Sequence, residues 1–150
     1  ERGSKMIALV QRVSYANLLI DDRLFSKIDK GIVVLLGVEK KDCESNAEKL
    51  LQRILNYRIF NDPDDKMNLS VKDVDGGLML VSQFTLAAET AKGLRPSFSS
   101  AMAPGEAERI YDFMVSKAIQ SCTKVAFGKF GSNMRIALEN NGPVTFYLKV

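Results

Sequence analysis

The sequence predicts a mixed α/β fold, of the α+β kind, with three layers of helix, sheet and sheet. Short apolar runs rich in branched side chains alternate with two helical patterns, in the order ββ-βα-βα-βββ. Each helical pattern has one apolar face, so both helices are expected to cover one side of a sheet. The length of 150 residues is typical of one domain.

The first half of the chain is predicted to contain the first three strands and a helix. Residues 6–13 and 17–24 read as strands joined by a turn at 14–16, and residues 31–38 form a continuous apolar run typical of a buried strand. The segment Ser45–Glu48 matches a capping box and predicts the start of a helix. The apolar face of this helix consists of Ala47, Leu50, Leu51, Ile54 and Leu55.

The second half is predicted to add a short strand at 58–60, a buried strand at 78–84 and a long loop from Ala87 to Pro104. Pro104 favours the first turn of a second helix. The apolar face of that helix consists of Ala107, Ile110, Tyr111, Met114 and Ala118, and the three closing strands are expected near 124–127, 134–139 and 144–150.

Composition excludes several classes of function. The chain has no histidine, which removes Ser-His-Asp and Cys-His catalysis and histidine-ligated zinc. Its two cysteines are far apart and suit reduced thiols in the cytoplasm, and no apolar run is long enough to span a membrane. A net charge of +3 neither requires nor opposes nucleic-acid binding. Neither a metal nor a cofactor is expected.

The first candidate site is the sequence Ser82, Gln83, Phe84, Thr85, Leu86. It follows an apolar strand and changes abruptly to hydroxyl, amide and aromatic groups. Polar side chains at the end of a buried strand are held rigidly, which favours a functional site. An ordinary strand end remains the alternative.

The second candidate is Gly142-Pro143, just before an apolar terminal strand. Glycine adopts backbone angles closed to other residues, whereas proline lacks an N–H and can form a cis peptide bond. The pair therefore predicts a rigid kink that presents bare carbonyl groups. An ordinary turn is the alternative.

Two weaker patterns lie between these motifs. Arg95 and Phe98 occur in the long central loop, where the arginine could pair with a phosphate or simply be solvated. The segment Phe127–Gly131 alternates aromatic residues, glycine and Lys129, a pattern that suits base stacking and phosphate approach. Glycine turns with core phenylalanines produce the same pattern.

Taken in order, these motifs resemble one family. The matching segments are Gln11–Ser14, Leu36–Val38, Arg58–Phe60, Lys66–Ser70, Ser82–Leu86, Arg95–Phe98 and Asn141–Thr145. Together they closely resemble the D-aminoacyl-tRNA deacylases of the bacterial and eukaryotic type. The resemblance extends from Met6 to Val150, which is expected to be a single deacylase domain. Residues 1–5 are expected to be an expression scar.

The resemblance implies an activity and a fold. The family is a cytoplasmic homodimer with a three-layer fold that hydrolyses the ester between a D-amino acid and the 3′-terminal adenosine of tRNA. Removal of D-amino acids proofreads chirality in translation, and the family also clears glycine mischarged on alanine tRNA. The expected partners are therefore D-aminoacyl-tRNA and a second copy of the chain, without a membrane.

The resemblance also assigns residues. Ser82, Gln83, Phe84 and Thr85 match the active-site motif, and Gly142 and Pro143 match a Gly-cisPro motif that enters the partner's active site. Arg12 matches an arginine that supports that motif. The adenosine and tRNA site is expected to include Phe127, Gly128, Phe130, Gly131, Met134 and Arg95. Departures from the family pattern occur at Tyr15, Leu94 and Asn141, of which only Leu94 would remove a possible phosphate contact.

Two other functions compete with this assignment. One is a non-catalytic module that binds tRNA or single strands through the 127–131 region. The other is a small esterase with Ser82 or Thr85 as nucleophile, which the absence of a histidine or a suitable lysine disfavours.

Overall fold

The computed structural model describes residues 6–150, and the expected expression scar at 1–5 lies outside this range. Eight strands and two α-helices are assigned. They are β1 (Ile7–Ile20), β2 (Arg23–Ile28), β3 (Gly31–Gly37), α1 (Glu44–Asn56), β4 (Phe60–Asn61), β5 (Met67–Leu69), β6 (Gly77–Ser82), α2 (Pro104–Ser121), β7 (Val125–Phe127) and β8 (Met134–Lys149). A single 3₁₀ turn covers Phe84–Ala87.

The main sheet has the order β2-β1-β3-β6-β7, and β8 pairs with the other side of β1. Strand β3 is parallel to β6, and β6 is parallel to β7, whereas β1 is antiparallel to β2, β3 and β8. Strands β4 and β5 form a separate two-stranded sheet. The predicted fold class, a mixed α+β protein, is confirmed.

The strands β3 and β6 carry side chains into two cores. Ile32 and Leu78 face the helix-side core, which contains the apolar faces predicted for α1 and α2. Val33 and Met79 face the sheet-side core, formed with the second half of β1, β2 and the first half of β8. This alternation has the two-residue period of a strand. It produces the three predicted layers of helix, sheet and sheet.

The two strands predicted at 6–13 and 17–24 are in fact one strand, β1, and the turn predicted at 14–16 is wrong. The true turn is at Asp21-Asp22, where both residues have positive φ, 52° and 62°. Aspartate tolerates this left-handed conformation, although the usual signal for such a hairpin contains glycine. The missing glycine explains why the turn was not predicted.

A bulge in β1 explains the false turn. Val13 pairs with Asn140 and Tyr15 pairs with Glu139, so β1 has one extra residue there. The even-numbered Val10 faces the helix-side core, but the even-numbered Leu18 faces the sheet-side core. One extra residue reverses the alternation of side chains, which breaks the strand pattern in the sequence.

Other boundaries also differ from the prediction. The capping box lies earlier than predicted: α1 begins at Glu44, and the Cys43 N–H donates to Asn46 Oδ1 at 3.0 Å. The strand predicted at 58–60 is observed at Phe60–Asn61, and β6 ends at Ser82 rather than at residue 84. The two last predicted strands form one strand, β8, which runs through Gly142-Pro143.

We predict that Gly31→Ala destabilises the fold by about 3 kcal/mol. An added Cβ at Gly31 would lie 2.0 Å from the backbone oxygen of Gly77 in the adjacent strand β6, and a backbone atom cannot move aside. Thermal unfolding should show a fall in Tm of roughly 10 °C. Gly105→Ala is the matched control, because nothing lies within 4 Å of its added Cβ. Equal Tm values for the two variants would contradict the prediction.

Candidate active site

The first candidate motif lies where β6 leaves the core. The apolar residues of β6 from Leu78 to Val81 are buried, and Ser82 is the first residue of the strand that is partly exposed. The N–H of Gln83 then donates to the carbonyl of Leu36 at 2.7 Å, after which the chain enters the 3₁₀ turn. The abrupt change in the sequence therefore marks the edge of the sheet.

A pocket of about 670 Å³ opens beside this edge. Ser82, Gln83 and Phe84 line one side, and Phe130, Gly131 and Met134 also line the pocket. Further lining residues, which the sequence did not indicate as site residues, are Val81, Ala101, Met102, Ala103, Pro104, Ala107, Ser132 and Ile136. Six of the predicted site residues thus lie around one cavity. A largely apolar pocket with a few polar groups is typical of a small-molecule site.

The opening follows from the strand pairing. The last pair between β6 and β7 is Leu80 with Phe127, whereas β6 continues to pair with β3 as far as Ser82 and Leu36. Strands β6 and β7 therefore separate two residues before β6 ends. The N–H of Gly128 still donates to the carbonyl of Leu80 at 3.1 Å, and the chain that follows lines the pocket through Phe130 and Met134.

Thr85 is exposed in the 3₁₀ turn and is held by its neighbour. The amide Nε2 of Gln83 donates to Thr85 Oγ1 at 2.6 Å. An amide donor cannot remove a proton from the hydroxyl, so this contact orients Thr85 without activating it as a nucleophile.

Phe98 of the long loop joins the pocket. Its ring lies 5.2 Å from the ring of Phe84, with the two planes inclined by 50°. The loop is fixed by reciprocal backbone hydrogen bonds between Glu89 and Ser97 and by Ser100 Oγ, which donates to Glu89 Oε2 at 2.7 Å. Phe84 is 58% exposed and Phe98 is 40% exposed, so the two rings present an aromatic surface at the pocket.

Thr85 is absent from the pocket lining, and so are three of the residues predicted for the adenosine and tRNA site. Phe127 is the last residue of β7 and packs against the helix-side core. Gly128 lies behind the pocket, where an added Cβ would meet Met134 Sδ at 2.5 Å. Arg95 is exposed in the loop and is absent from the pocket lining.

Tyr111 is a polar contact that the sequence did not reveal. Its hydroxyl donates to the carbonyl of Leu80 at 2.8 Å and accepts the N–H of Gly128 at 3.1 Å. Burial raises the pKa of Tyr111, so the hydroxyl remains protonated. On the apolar face of α2 the residue looked like ordinary core, although a buried tyrosine hydroxyl generally requires a partner.

The second candidate motif is a bulge in β8. Gln11 pairs with Thr145 and Val13 pairs with Asn140, so residues 141–144 lie opposite the single residue Arg12. The Gly142-Pro143 peptide bond is cis, as the family resemblance implied, and both residues are exposed. Gly142 has φ +128°, a conformation that favours glycine.

Arg12 spans this bulge from β1. Its Nε donates to the carbonyl of Asn141 at 3.0 Å and its Nη1 donates to the carbonyl of Ile59 at 2.8 Å. The rigid guanidinium fork thus joins the bulge to the chain after α1. This geometry agrees with a supporting role for Arg12.

The bulge lies away from the pocket of its own chain. Arg12 pairs with Ile32 of β3, whereas Ser82 pairs with Leu36. These positions are about 13 Å apart along the strand at roughly 3.3 Å per residue. Neither Gly142 nor Pro143 lines the pocket.

The fold and the pocket define an α+β protein with a cavity at the end of a buried strand. Comparison with known proteins makes the assignment specific. A family described as "D-Tyr-tRNA(Tyr) deacylase" matches residues 9–149. A D-aminoacyl-tRNA deacylase of Aeromonas hydrophila is 52% identical over 145 residues, covering 97% of this chain and 100% of the relative. One of Hahella chejuensis is 55% identical, covering 97% and 99%.

Solved structures agree on the fold. One described as "c-Myc DNA Unwinding Element Binding Protein" is 36% identical, covers 95% of this chain and 97% of its own, and superposes with a TM-score of 0.91. Another, described as a probable eukaryotic D-amino acid tRNA deacylase, has a TM-score of 0.85 at 14% identity, covers 97% and 100%, and supports the fold alone. The chain belongs to the D-Tyr-tRNA(Tyr) deacylase family. The predicted family and enzyme class are confirmed.

We predict that Arg12→Lys lowers kcat/KM for deacylation by about tenfold or more, because one ammonium group cannot reproduce the fork between two carbonyls. Thermal unfolding should change little in comparison. Arg109→Lys is the control, since Arg109 makes only exposed ion pairs with Glu44 and Glu106. Wild-type kinetics in Arg12→Lys would show that the fork does not support the bulge.

Proposed function

We propose that the pocket beside Ser82 is the place where this D-aminoacyl-tRNA deacylase binds and hydrolyses its ester. The observation that carries the proposal is the convergence of Ser82, Gln83 and Phe84 with Phe130 and Met134 around one cavity. Aromatic and thioether side chains suit the terminal adenosine, because a base can stack on them without a sequence-specific contact. The Ser82 hydroxyl and Gln83 amide then orient the ester and water.

The chemistry needs no histidine. An aminoacyl ester is already activated, so positioning and stabilisation of the oxyanion supply most of the catalysis. Phe84 and Thr85 begin the 3₁₀ turn, and the first N–H groups of a helical segment have no partner within it. We assign these two N–H groups to the oxyanion. The ribose hydroxyl beside the ester assists the attacking water.

Discrimination between D- and L-aminoacyl groups is assigned to Gly142 and Pro143. Their carbonyl groups would accept the α-ammonium group of the substrate and crowd its Cα. A D-residue then directs its side chain away from the carbonyls, whereas an L-residue collides with them. Glycine has no side chain to reject, so glycine mischarged on alanine tRNA is also a substrate in this proposal.

The position of the bulge supports a homodimer. Because Gly142-Pro143 lies about 13 Å along the strands from the pocket of its own chain, a second copy supplies the motif more readily. Two-fold symmetry makes the exchange reciprocal, so each dimer would contain two composite sites.

The remaining assignments concern the cell and the tRNA. Arg95 is exposed beside the pocket loop and is a candidate contact for a tRNA phosphate. The neighbouring Leu94 is fully exposed and offers no such contact. A tRNA substrate places the enzyme in the cytoplasm, and residues 6–150 act as one domain. Among these residues, no helix is long and apolar enough to cross a membrane.

We predict hydrolysis of D-Tyr-tRNA with a kcat/KM at least about 100-fold above that for L-Tyr-tRNA, since a steric clash of a few kcal/mol corresponds to this ratio. Release of labelled tyrosine from both substrates gives the rates. Equal rates would contradict the chirality assignment. Tight tRNA binding without release would favour the non-catalytic module. Covalent labelling of Ser82 by a phosphonate ester would favour the nucleophilic esterase.

We predict rescue of activity in mixed dimers. One variant carries alanine at Ser82, Gln83 and Thr85, and the other carries Gly142→Ala. A heterodimer then has one site with both defects and one site with neither, so random exchange should restore about a quarter of wild-type activity. Native mass spectrometry verifies the exchange. Mixing either variant with itself is the control. Full exchange without any rescue would show that each site is built within one chain.

A further inference from the structure

Tyr111 lies at the point where strands β6 and β7 separate. The last pair between them is Leu80 with Phe127, and the next residue along the chain is Gly128. The buried Tyr111 hydroxyl bridges this point, with Leu80 O at 2.8 Å and both Gly128 N and Gly128 O at 3.1 Å. One side chain of α2 therefore fixes the spacing of the two strands at the base of the pocket.

Both sides of the pocket continue directly from the atoms that Tyr111 holds. Leu80 is two residues before Ser82, within a rigid buried strand. Gly128 contacts Met134, since a Cβ at Gly128 would lie 2.5 Å from Met134 Sδ. The Tyr111 ring also lies 6.2 Å from the ring of Phe130. Phe130 and Met134 line the pocket themselves.

We propose that Tyr111 is a positioning residue for the substrate, one that sets the distance between the Ser82 side of the pocket and the Phe130–Met134 side. It acts through Leu80 and Gly128 and does not line the pocket. The inference rests on the proposed function of the pocket. Loss of the hydroxyl leaves the Gly128 N–H with only the carbonyl of Leu80, at 3.1 Å, so the two strands can shift.

Tyr111→Phe tests the proposal because it removes one oxygen and keeps the ring. KM for D-Tyr-tRNA should rise about tenfold, while kcat changes by less than about threefold, since the ester chemistry is on the Ser82 side. The dissociation constant for adenosine 5′-monophosphate, measured by NMR titration, should rise by a similar factor. Tyr57→Phe is the matched control, because Tyr57 packs on Phe146 outside the pocket lining.

A merely structural role gives a different result. Partial unfolding of Tyr111→Phe would reduce the active fraction, lowering kcat per mole of protein at unchanged KM and unchanged nucleotide affinity. That outcome, or wild-type kinetics throughout, would overturn the proposal. If the wild type binds the nucleotide but does not hydrolyse D-Tyr-tRNA, the proposed function fails. Weaker nucleotide binding in Tyr111→Phe would then still support positioning.

A second variant decides the matter if Tyr111→Phe does not fold. Gly128→Ala should displace Met134 directly. The added Cβ would lie 2.5 Å from Met134 Sδ and 3.2 Å from Leu18 Cδ1. Both contacts are side-chain atoms that can move, so the fold should survive. The proposal expects a similar rise in KM and in the nucleotide dissociation constant. Unchanged values of KM and of the nucleotide dissociation constant would show that the position of the Phe130–Met134 side does not control binding, and would overturn the proposal.

Discussion

The pocket exists because two parallel ladders on the same strand end at different places. Strand β6 pairs with β7 only as far as Leu80, but it pairs with β3 as far as Ser82. Burial of β6 on both faces keeps it straight and rigid through these last residues. The chain that follows β7 is released to form the other side of the cavity. The different end points of these two ladders therefore make the β6 side of the cavity rigid and leave its other side without strand pairing.

The bulge at Gly142 is also a consequence of strand pairing, here between the antiparallel strands β8 and β1. Four residues of β8 face Arg12 alone, so their backbone groups cannot all pair with β1. The guanidinium of Arg12 replaces part of the lost ladder by binding the carbonyls of Asn141 and Ile59. The cis bond and the positive φ of Gly142 lie between the regular pairs of residues 7–11 of β1 with β8 and a second register shift between Val13 and Tyr15. A stiff sheet can thus carry an exposed, irregular motif.

The sequence predicted the fold where side-chain periodicity decided the structure. Both helices, β3 and β6 followed from their apolar patterns, and the polar change at Ser82 marked the edge of the sheet. The predictions failed where strand pairing, and not side-chain periodicity, determined the structure. The bulge near Val13 reversed the alternation of side chains and imitated a turn, while Asp21-Asp22 turned the chain without glycine. The hydrogen bond from Tyr111 to Leu80 was not predicted, because the apolar pattern of α2 gives no signal for the partner of a buried hydroxyl.

Because the chain has no histidine, the geometry of the pocket and of the bulge at Gly142 is especially important for the proposed catalysis. A general base adds to the rate by proton transfer, provided that it lies within hydrogen-bond reach of the proton. In the proposed mechanism, backbone N–H groups and a hydroxyl of the substrate take the place of such a base, so the rate depends on accurate placement of the substrate. The elements that flank the pocket are accordingly tied by specific contacts: Gln83 to Leu36, Phe98 to Phe84, and Tyr111 to Gly128. In such an enzyme, the residues that hold the walls apart control how the substrate binds, and those that touch the ester control its hydrolysis.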